Sequence, residues 1–302
     1  MLFILVLLAF INSLPMRAEA QTTLNDHIEP TSPCLQQPYK ISIFNHRPLV
    51  IYVEDFVSED EAAQLIALAS DSYQESQVVI KEDPENHAAT NISHRLSQSK
   101  YLYDDDAPLI RCIRERAARF QGISVQYLEP LQVVRYPKNG FFKHHWDYFS
   151  RVDSLEGLDC NGDFYCQEGM GDRASTFFVY LKADCEGGET DFPRLEMGEH
   201  VDRHLWCEFI DCRHEDPGVK WKPKAGNAIF WENMLDGKGI EDVLHAGLPV
   251  SVGEKIGLNI WSRQRSGRIG EGENFGNYLD GATPEESKKI LQELDIKRHV
   301  EL

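Results

Sequence analysis

Basic residues are scarce in this chain. Its 302 residues include 31 lysines and arginines against 49 aspartates and glutamates, which gives a formal net charge of -18. Nucleic-acid binders need a basic surface that displaces counterions from the phosphates. The charge therefore argues against DNA, RNA and anionic membrane surfaces as partners. The sequence also has no Cys-x-x-Cys pair, so it lacks the usual signature of a zinc site.

A hydrophobic segment long enough to cross a bilayer is missing as well. The apolar run Leu2–Leu14 suits a signal peptide within residues 1–20, and Ala18–Ala20 supplies small residues for cleavage before Gln21. The usual positive charge ahead of the run is absent, so an uncleaved anchor remains the alternative and would be the one membrane contact. Either form directs the chain to the endoplasmic reticulum lumen and the secretory pathway, with secretion as a further destination.

The cysteines and one glycosylation triplet agree with an oxidising compartment. Asn91-Ile92-Ser93 is an N-glycosylation acceptor. The seven cysteines include two pairs that are close enough in sequence to form small disulfide loops, Cys160 with Cys166 and Cys207 with Cys212. The remaining three leave at least one thiol unpaired: Cys34, Cys112 and Cys185. Buried free cysteines are the alternative interpretation.

The chain is predicted to contain one main domain with insertions, at 50–265, because its 302 residues are 42% hydrophobic and show neither an internal repeat nor a low-complexity tract. Residues 21–49 are expected to be an extended lead-in, and residues 266–302 a helical tail. Ser58 with Glu61 forms a capping box that predicts a helix start. A second helix is predicted around Pro108, with an apolar stripe. Both helices are expected to be scaffold.

From Leu131 onward the hydrophobic period shortens to two, which indicates strands. Four are predicted, at 131–136, 176–181, 228–231 and 255–261. Short strands separated by Gly/Pro turns favour a mainly β fold with flanking helices around a double-stranded β-helix (jelly-roll) core. Insertions near 151–172 and 194–222 are expected to form a lid or a wall of the substrate site.

The triplet His145-Trp146-Asp147 is the first candidate for part of a metal site. Side chains two residues apart on a strand project to the same side, so His145 and Asp147 can hold one metal ion while Trp146 faces away. With one further histidine they would form the facial triad of a non-haem Fe(II) oxygenase, which leaves positions open for co-substrate and oxygen. Taken alone the triplet is weak evidence, and His144 has the wrong phase to join Asp147.

The third ligand candidate is His245, which precedes a Gly/Pro turn and would ordinarily be a loop residue. Lys255 follows it at the start of a strand in which Lys255, Gly257, Asn259 and Trp261 share a face. If that face lines the barrel interior, a buried ammonium needs an anionic partner. The distal carboxylate of 2-oxoglutarate would supply it. The alternative is an outward lysine on an edge strand.

At this point the sequence resembles the prolyl 4-hydroxylase catalytic domain, from about Val50 to Arg263. The resemblance lies in three ordered segments. They are Glu129–Tyr136 (EPLQVVRY) with Gly140 and the His145 triplet, Arg173–Leu181 (RASTFFVYL) with Gly187–Thr190 (GGET), and Trp231 through Asp236-Gly237 and His245 to Trp261.

The resemblance implies that His145, Asp147 and His245 hold Fe(II) and that Lys255 binds 2-oxoglutarate. It further implies that Tyr136 and Thr176 help to seat this co-substrate, and it places four residues near a peptide groove: Arg95, Glu129, Arg173 and Trp261. The alternatives are a surface ion pair for Glu129 and Arg173 and a core position for Trp261. Phe142 stands where the family usually has a tyrosine near the target proline.

The implied reaction is hydroxylation of peptidyl proline to 4-hydroxyproline, with O2 and 2-oxoglutarate consumed and ascorbate expected to sustain turnover. The same chemistry on lysine, a free amino acid or a small metabolite is one alternative. A jelly-roll that binds without catalysis is another. The terminal His299-Val300-Glu301-Leu302 resembles a retrieval signal of the endoplasmic reticulum except at Val300, and the oligomeric state is left open.

Overall fold

The structure is a computed structural model that describes residues 34, 37–76, 94–148, 171–197, 202–213 and 217–263. The sequence features that lie outside these residues are the signal peptide, the glycosylation triplet, residues 151–170 of the first insertion with the Cys160–Cys166 pair, the tail helix and the terminal tetrapeptide. None of the described helices is both long and apolar enough to cross a membrane.

Two helices precede most of the strands and begin where the sequence predicts. Helix α1 (Glu59–Ser70) starts at Ser58, whose hydroxyl accepts the Glu61 N–H while the Glu61 carboxylate accepts the Ser58 N–H. Helix α2 (Pro108–Gln121) has proline at its first position and ends at Gly122, whose φ of 68° suits a left-handed cap. A short helix, α3 (Arg203–Trp206), follows later.

The described strands are, in chain order, β1 (Lys40–His46), β2 (Leu49–Glu54), β3 (Gln74–Glu75), β4 (Arg95–Leu96), β5 (Gln98–Leu102), β6 (Leu131–Tyr136), β7 (Phe141–His145), β8 (Arg173–Gly187), β9 (Thr190–Phe192), β10 (Val219–Trp221), β11 (Ala228–Glu232), β12 (Met234–Leu235), β13 (Lys238–Gly239), β14 (His245–Gly247) and β15 (Val250–Arg263). All four predicted strands are present, and β8 and β15 are longer than predicted. The sheet also begins at Lys40, which is ahead of the predicted domain boundary at Val50.

These strands form two facing sheets. Within the described ranges the major sheet has the order β1-β2-β11-β8-β15-β6-β5-β3 and the minor sheet has the order β10-β9-β14-β7-β4, while β12 and β13 pair separately. Every strand pair in both sheets is antiparallel. The prediction of a mainly β fold with a double-stranded β-helix core and flanking helices is confirmed.

The major sheet is buried on both faces, and residue alternation decides which face each side chain joins. On β15, Ile256, Leu258 and Ile260 pack in the apolar layer under α1 and α2. The intervening Lys255, Asn259 and Trp261 line the cavity between the two sheets. The predicted shared face of Lys255 and Trp261 is therefore confirmed, and it faces the barrel interior.

The second insertion, 194–222, was expected to form a lid or a wall of the substrate site, and its described part does not line the cavity. Its described part contains α3, the predicted disulfide between Cys207 and Cys212, and β10, which pairs with β9. Trp206 and Trp221 pack against Phe44 in an aromatic cluster at ring-centroid distances of 4.9–5.8 Å. No described residue of 194–222 lines the cavity, so the expected wall of the substrate site is wrong for this part, which instead adds an edge strand to the minor sheet.

Two of the three remaining cysteines pair with each other. Cys34 and Cys112 form a disulfide that joins the start of the described chain to α2, and Cys185 is the free thiol. The sequence had left this pairing open.

Candidate active site

Two histidines and one aspartate meet at the end of β7 and the start of β14. His145 and His245 are register partners on these neighbouring strands. The possible ligand atoms of His145, Asp147 and His245 all lie within 4.8 Å of one another. Asp147 presents one carboxylate oxygen to each imidazole, with Nε2 to oxygen distances of 3.7 Å in both cases. The three predicted ligands are therefore brought together.

The route by which Asp147 reaches this position differs from the prediction. Strand β7 ends at His145, so strand alternation does not orient Asp147. Trp146 does not face away, since it lines the cavity and donates its indole N–H to the Glu241 carbonyl. Asp147 is held instead by the Thr176 hydroxyl, which donates to its Oδ2 at 2.8 Å.

A chain of buried hydrogen bonds extends behind Thr176. Asn233 Nδ2 donates to the Thr176 hydroxyl at 2.8 Å, and the Trp231 indole donates to Asn233 Oδ1 at 2.8 Å. Thr176 is fully buried and is not among the residues that line the cavity. Thr176 thus contacts a metal ligand, in the way that hydrogen bonds orient ligating carboxylates in metal sites. Its contact with the co-substrate stays a prediction.

Each imidazole is oriented by a backbone carbonyl. His145 Nδ1 lies 2.8 Å from the Lys143 carbonyl, and His245 Nδ1 lies 2.9 Å from the Val243 carbonyl. A carbonyl can only accept, so each Nδ1 carries the hydrogen. Both Nε2 lone pairs are therefore directed to the shared centre, which is the tautomer that metal binding requires.

The ionisation states also suit a metal. Burial lowers the pKa of His145 to about 3, with help from the neighbouring His245, so the ring is neutral at physiological pH. Burial alone would raise the pKa of Asp147, but His245, His145 and Arg173 bring it below its ordinary value. Two imidazoles whose Nε2 atoms face one centre, together with one carboxylate, match the donor set of a non-haem Fe(II) site.

Lys255 lies fully buried in the same cavity. Its ammonium donates to the Gly188 carbonyl at 2.6 Å and lies 4.7 Å from the ring centre of Tyr136. Within the part of the chain that the structure describes, no carboxylate forms an ion pair with it. Burial lowers its pKa to about 8, as expected for a buried ammonium without a counter-ion. The alternative of an outward lysine is excluded.

A glycine keeps the space beside this ammonium open. Gly247 follows His245 on β14, and a Cβ placed on it would lie 3.7 Å from both Lys255 Nζ and the ring of Tyr136. A larger side chain there would enter the region between Lys255 and the metal ligands. The cavity has a volume of about 770 Å³. A dicarboxylate co-substrate, held at one end by the metal and at the other by Lys255, fits these surroundings.

The predicted peptide-binding residues fall into two layers. Arg173 and Trp261 line the cavity, and the Arg173 guanidinium lies 3.5 Å above the Trp261 ring. Glu129 lies behind them, 2% exposed, and accepts two hydrogen bonds from Arg173 at 2.8 and 3.0 Å. Burial alone would lower the pKa of Arg173, but Glu129 raises it above the ordinary value. Glu129 is therefore buried and Arg173 is largely buried, which excludes a surface ion pair, and only Arg173 of the two lines the cavity.

Arg95 and Phe142 form another part of the cavity wall. Phe142 stacks on the ring of His145 with centroids 3.6 Å apart, and the Arg95 guanidinium lies 4.4 Å above Phe142. Arg95 is buried and donates to the Ser97 hydroxyl. The residue that replaces the usual tyrosine thus contacts a metal ligand directly, with Arg95 on its other face.

Sequence reasoning missed two residues. Asn233 carries no motif of its own, although it lies two residues after Trp231 and bonds to it. Arg263 places its Nε 2.5 Å from Glu129 Oε1 and is fully buried as a side chain. Every second residue of β15 from Lys255 to Trp261 shares one face of the strand. Extending this pattern by two residues would have placed Arg263 on the same face.

Comparison with known proteins gives a consistent result. The sequence profile of the 2OG-Fe(II) oxygenase superfamily matches residues 131–263. Prolyl 4-hydroxylase 1 of Arabidopsis thaliana is 30% identical over 230 residues, which cover 75% of this chain and 73% of that protein. Prolyl 4-hydroxylase subunit alpha-3 of Rattus norvegicus is 32% identical over 230 residues, which cover 75% of this chain but 36% of that subunit.

A solved structure is similar to this chain over most of its length. The viral collagen prolyl hydroxylase of Paramecium Bursaria Chlorella virus-1, in its complex with 2OG, aligns with 71% of this chain and 95% of that chain, at 25% identity and a TM-score of 0.48.

Proposed function

The chain belongs to the prolyl 4-hydroxylase family of the 2OG-Fe(II) oxygenase superfamily, and from this premise we propose that it converts peptidyl proline to 4-hydroxyproline. It is a 2-oxoglutarate-dependent dioxygenase, which sets aside the alternative of a non-catalytic jelly-roll. The family implies Fe(II), 2-oxoglutarate and O2 as its cofactors and co-substrates.

The observation that carries the proposal is the combination of three metal-binding side chains with a buried ammonium in one cavity. His145, Asp147 and His245 would hold Fe(II), and Lys255 would bind the distal carboxylate of 2-oxoglutarate. When bound, Fe(II) would activate O2 and 2-oxoglutarate would supply two electrons, so that one oxygen atom enters the substrate C–H bond, the other enters succinate, and CO2 is released. The protein's own residues bind, orient and desolvate the reactants.

The groups that surround the metal ligands and Lys255 have separate roles in this proposed reaction. The Lys143 and Val243 carbonyls fix the tautomers of the two histidines, and Thr176 fixes the carboxylate of Asp147. Phe142 covers one face of His145 and excludes water from it. Tyr136, 4% exposed, covers the ammonium of Lys255. The site is thus preorganised before substrate arrives.

The cavity also provides surfaces suited to a proline-containing peptide. Trp261 with Arg173 stacked on it lines one wall, and Tyr101 and Tyr103, which are 39% and 54% exposed, line the cavity near the β5 edge. Aromatic surfaces favour extended proline-rich chains, whose backbone is already ordered. Two of the relatives compared above are named as prolyl 4-hydroxylases, which supports proline as the target.

Hydroxylation of another target is the second candidate, and Phe142 favours it because the usual tyrosine hydroxyl is absent. The deciding experiment supplies purified protein with Fe(II), 2-oxoglutarate and a panel of proline-rich peptides, lysine peptides and free amino acids. We expect succinate release together with one added oxygen atom on proline. Succinate release with oxygen added only to a non-proline compound would overturn the proline assignment and keep the enzyme class.

We also propose that ascorbate sustains turnover and that the enzyme acts in the endoplasmic reticulum lumen. The two described disulfides, Cys34–Cys112 and Cys207–Cys212, support an oxidising compartment. A fluorescent reporter preceded by residues 1–20 and ended by residues 299–302 should remain partly in the lumen. Complete secretion of that reporter would contradict retention, and activity that does not decline when ascorbate is omitted would contradict its role.

A further inference from the structure

Two arginines lie opposite each other on neighbouring strands of the major sheet. Arg173 on β8 and Arg263 on β15 are register partners in the major sheet. Like charges directly opposite each other on neighbouring strands repel. The Glu129 carboxylate relieves this repulsion, because its Oε1 lies 2.8 Å from Arg173 Nε and 2.5 Å from Arg263 Nε.

The two arginines differ in what they contact. Arg173 lines the cavity and stacks on Trp261. Arg263 does not line it, and its side chain is fully buried behind Glu129. Only Arg173 can therefore contact a peptide, and Arg263 acts on the site through its neighbours.

Arg263 contacts two groups that hold Arg173 in place, the Glu129 carboxylate and the Gly171 carbonyl. Through Nε it approaches Glu129, which binds the Arg173 head group. Through Nη1 it donates to the Gly171 carbonyl at 3.0 Å, which is the backbone leading into Arg173. Asp172 completes this connection by accepting the Arg173 backbone N–H at 2.7 Å. The head group and the backbone of Arg173 are thus tied to the same guanidinium.

We propose that Arg263 is a positioning residue for the peptide substrate: it fixes Glu129 and the backbone at Gly171, and so holds Arg173 over Trp261. This inference rests on the proposed function, because it assigns Arg173 and Trp261 to peptide binding. Loss of Arg263 leaves Glu129 Oε1 without one of its two cationic neighbours, so the carboxylate and Arg173 can rotate together away from Trp261. The metal ligands and Lys255 line the cavity, whereas Arg263 is buried behind Glu129 and does not line it.

The test compares Arg263→Met and Arg263→Lys with the full-length wild type. Arg263→Met should raise the KM for a proline-rich peptide by roughly tenfold or more, which is the effect of losing an interaction with a charged group. Arg263→Lys keeps the charge but cannot contact Glu129 and Gly171 together, so its KM should fall in between. The KM for 2-oxoglutarate and the slow turnover of 2-oxoglutarate without peptide should not change.

A binding measurement removes the dependence on turnover. Fluorescence anisotropy of a labelled poly-L-proline peptide, with Zn(II) and 2-oxoglutarate present, should show the same order of affinities. The matched control is Arg116→Met, because Arg116 is also a buried arginine bound to a carboxylate, Glu61, but lies in the helix layer away from the cavity. It should lower the melting temperature without changing peptide affinity.

The outcomes separate the two proposals. If Arg263→Met lowers stability as Arg116→Met does but leaves peptide KM and affinity at the wild-type values, Arg263 is structural and the positioning role is overturned. If the wild type turns over 2-oxoglutarate but neither binds nor hydroxylates any proline peptide, the proposed function fails, and this inference fails with it.

Discussion

His145 and His245 occupy opposite positions on β7 and β14, and their ring centroids lie 4.4 Å apart. A hundred residues of sequence separate them, yet the register of two short strands is enough to place both Nε2 atoms beside Asp147. Because both rings are tied by Nδ1 to backbone carbonyls, neither can rotate without losing a hydrogen bond. The site is therefore formed by the fold before any metal binds.

Replacing His145 with alanine should abolish tight metal binding and 2-oxoglutarate turnover, because two ligands cannot fill a facial triad. Metal titration by calorimetry, with Mn(II) or Co(II) as the probe, would measure this. His144→Ala is the matched control, since His144 neighbours His145 but bonds to Asp191 at 2.7 Å instead. Equal loss of metal affinity in both variants would contradict the assignment of His145.

Replacing Lys255 with methionine should weaken 2-oxoglutarate binding by roughly hundredfold, because a buried carboxylate would lose its charged partner. Metal affinity should stay near the wild-type value. Lys182→Met provides the comparison, since Lys182 also lies on the major sheet but pairs with Glu254 at 2.8 Å at the surface. An unchanged dissociation constant for 2-oxoglutarate in Lys255→Met would remove Lys255 from the site.

The pH dependence of 2-oxoglutarate binding should follow Lys255, whose pKa burial lowers from 10.5 to about 8. Binding requires the charged ammonium, so the dissociation constant should be flat below pH 8 and rise about tenfold per pH unit above it. The stability of the ligand-free fold should change in the opposite sense: the unfolded state binds more protons between pH 8 and 10.5, so stability rises with pH there.

Calorimetry with Zn(II) in place of Fe(II) would follow this binding without turnover. Lys255→Arg keeps its charge over the whole range, so its 2-oxoglutarate affinity should not fall between pH 8 and 10. A wild-type profile as flat as that of Lys255→Arg would show that the ammonium does not control binding.

Replacing Thr176 with valine should lower metal affinity by about 10- to 100-fold, as loss of a hydrogen bond to a ligating carboxylate does elsewhere. The variant removes the donor to Asp147 and leaves the Asn233 amide without its acceptor. Ser175→Ala is the control, because Ser175 bonds to Ser262 and Gln121 on the other face of β8. Its effect should be on thermal stability, and a metal affinity as low as that of Thr176→Val would argue against the specific role of Thr176.

Replacing Glu61 with glutamine should cost about 2–4 kcal/mol in the free energy of unfolding, because it leaves the buried Arg116 without its charged partner. Burial alone would raise the pKa of Glu61, but Arg116 and Ser58 bring it below 4.5. This stabilisation is therefore fully present above pH 4.5 and is lost as pH falls through the lower folded-state pKa.

Urea denaturation at neutral pH and at low pH would measure both effects. Glu254→Gln is the control, since Glu254 pairs with Arg135 and Lys182 at partly exposed positions. It should cost less than about 1 kcal/mol. Equal costs for the two variants would mean that the Glu61–Arg116 pair gains nothing from burial.

Several features of the fold and the site could be predicted from the sequence, because they depend on residues only a few positions apart. The capping box at Ser58 depends on residues three apart, and the common face of Lys255 and Trp261 depends on strand alternation, so both could be predicted without knowing the fold. The prediction for Asp147 was wrong in its route although right in its outcome. Alternation requires a continuous strand, and β7 stops at His145.

The sequence by itself determined the residue types for a ferrous centre and a dicarboxylate anchor, and the strand patterns that carry them. Only the tertiary structure decided that Thr176 holds Asp147, that Cys34 pairs with Cys112, and that Glu129 lies between Arg173 and Arg263. The physical reason is that these contacts join residues far apart in the chain. Their partners are chosen by strand order and by the requirement that buried charges be neutralised, and no local period encodes either.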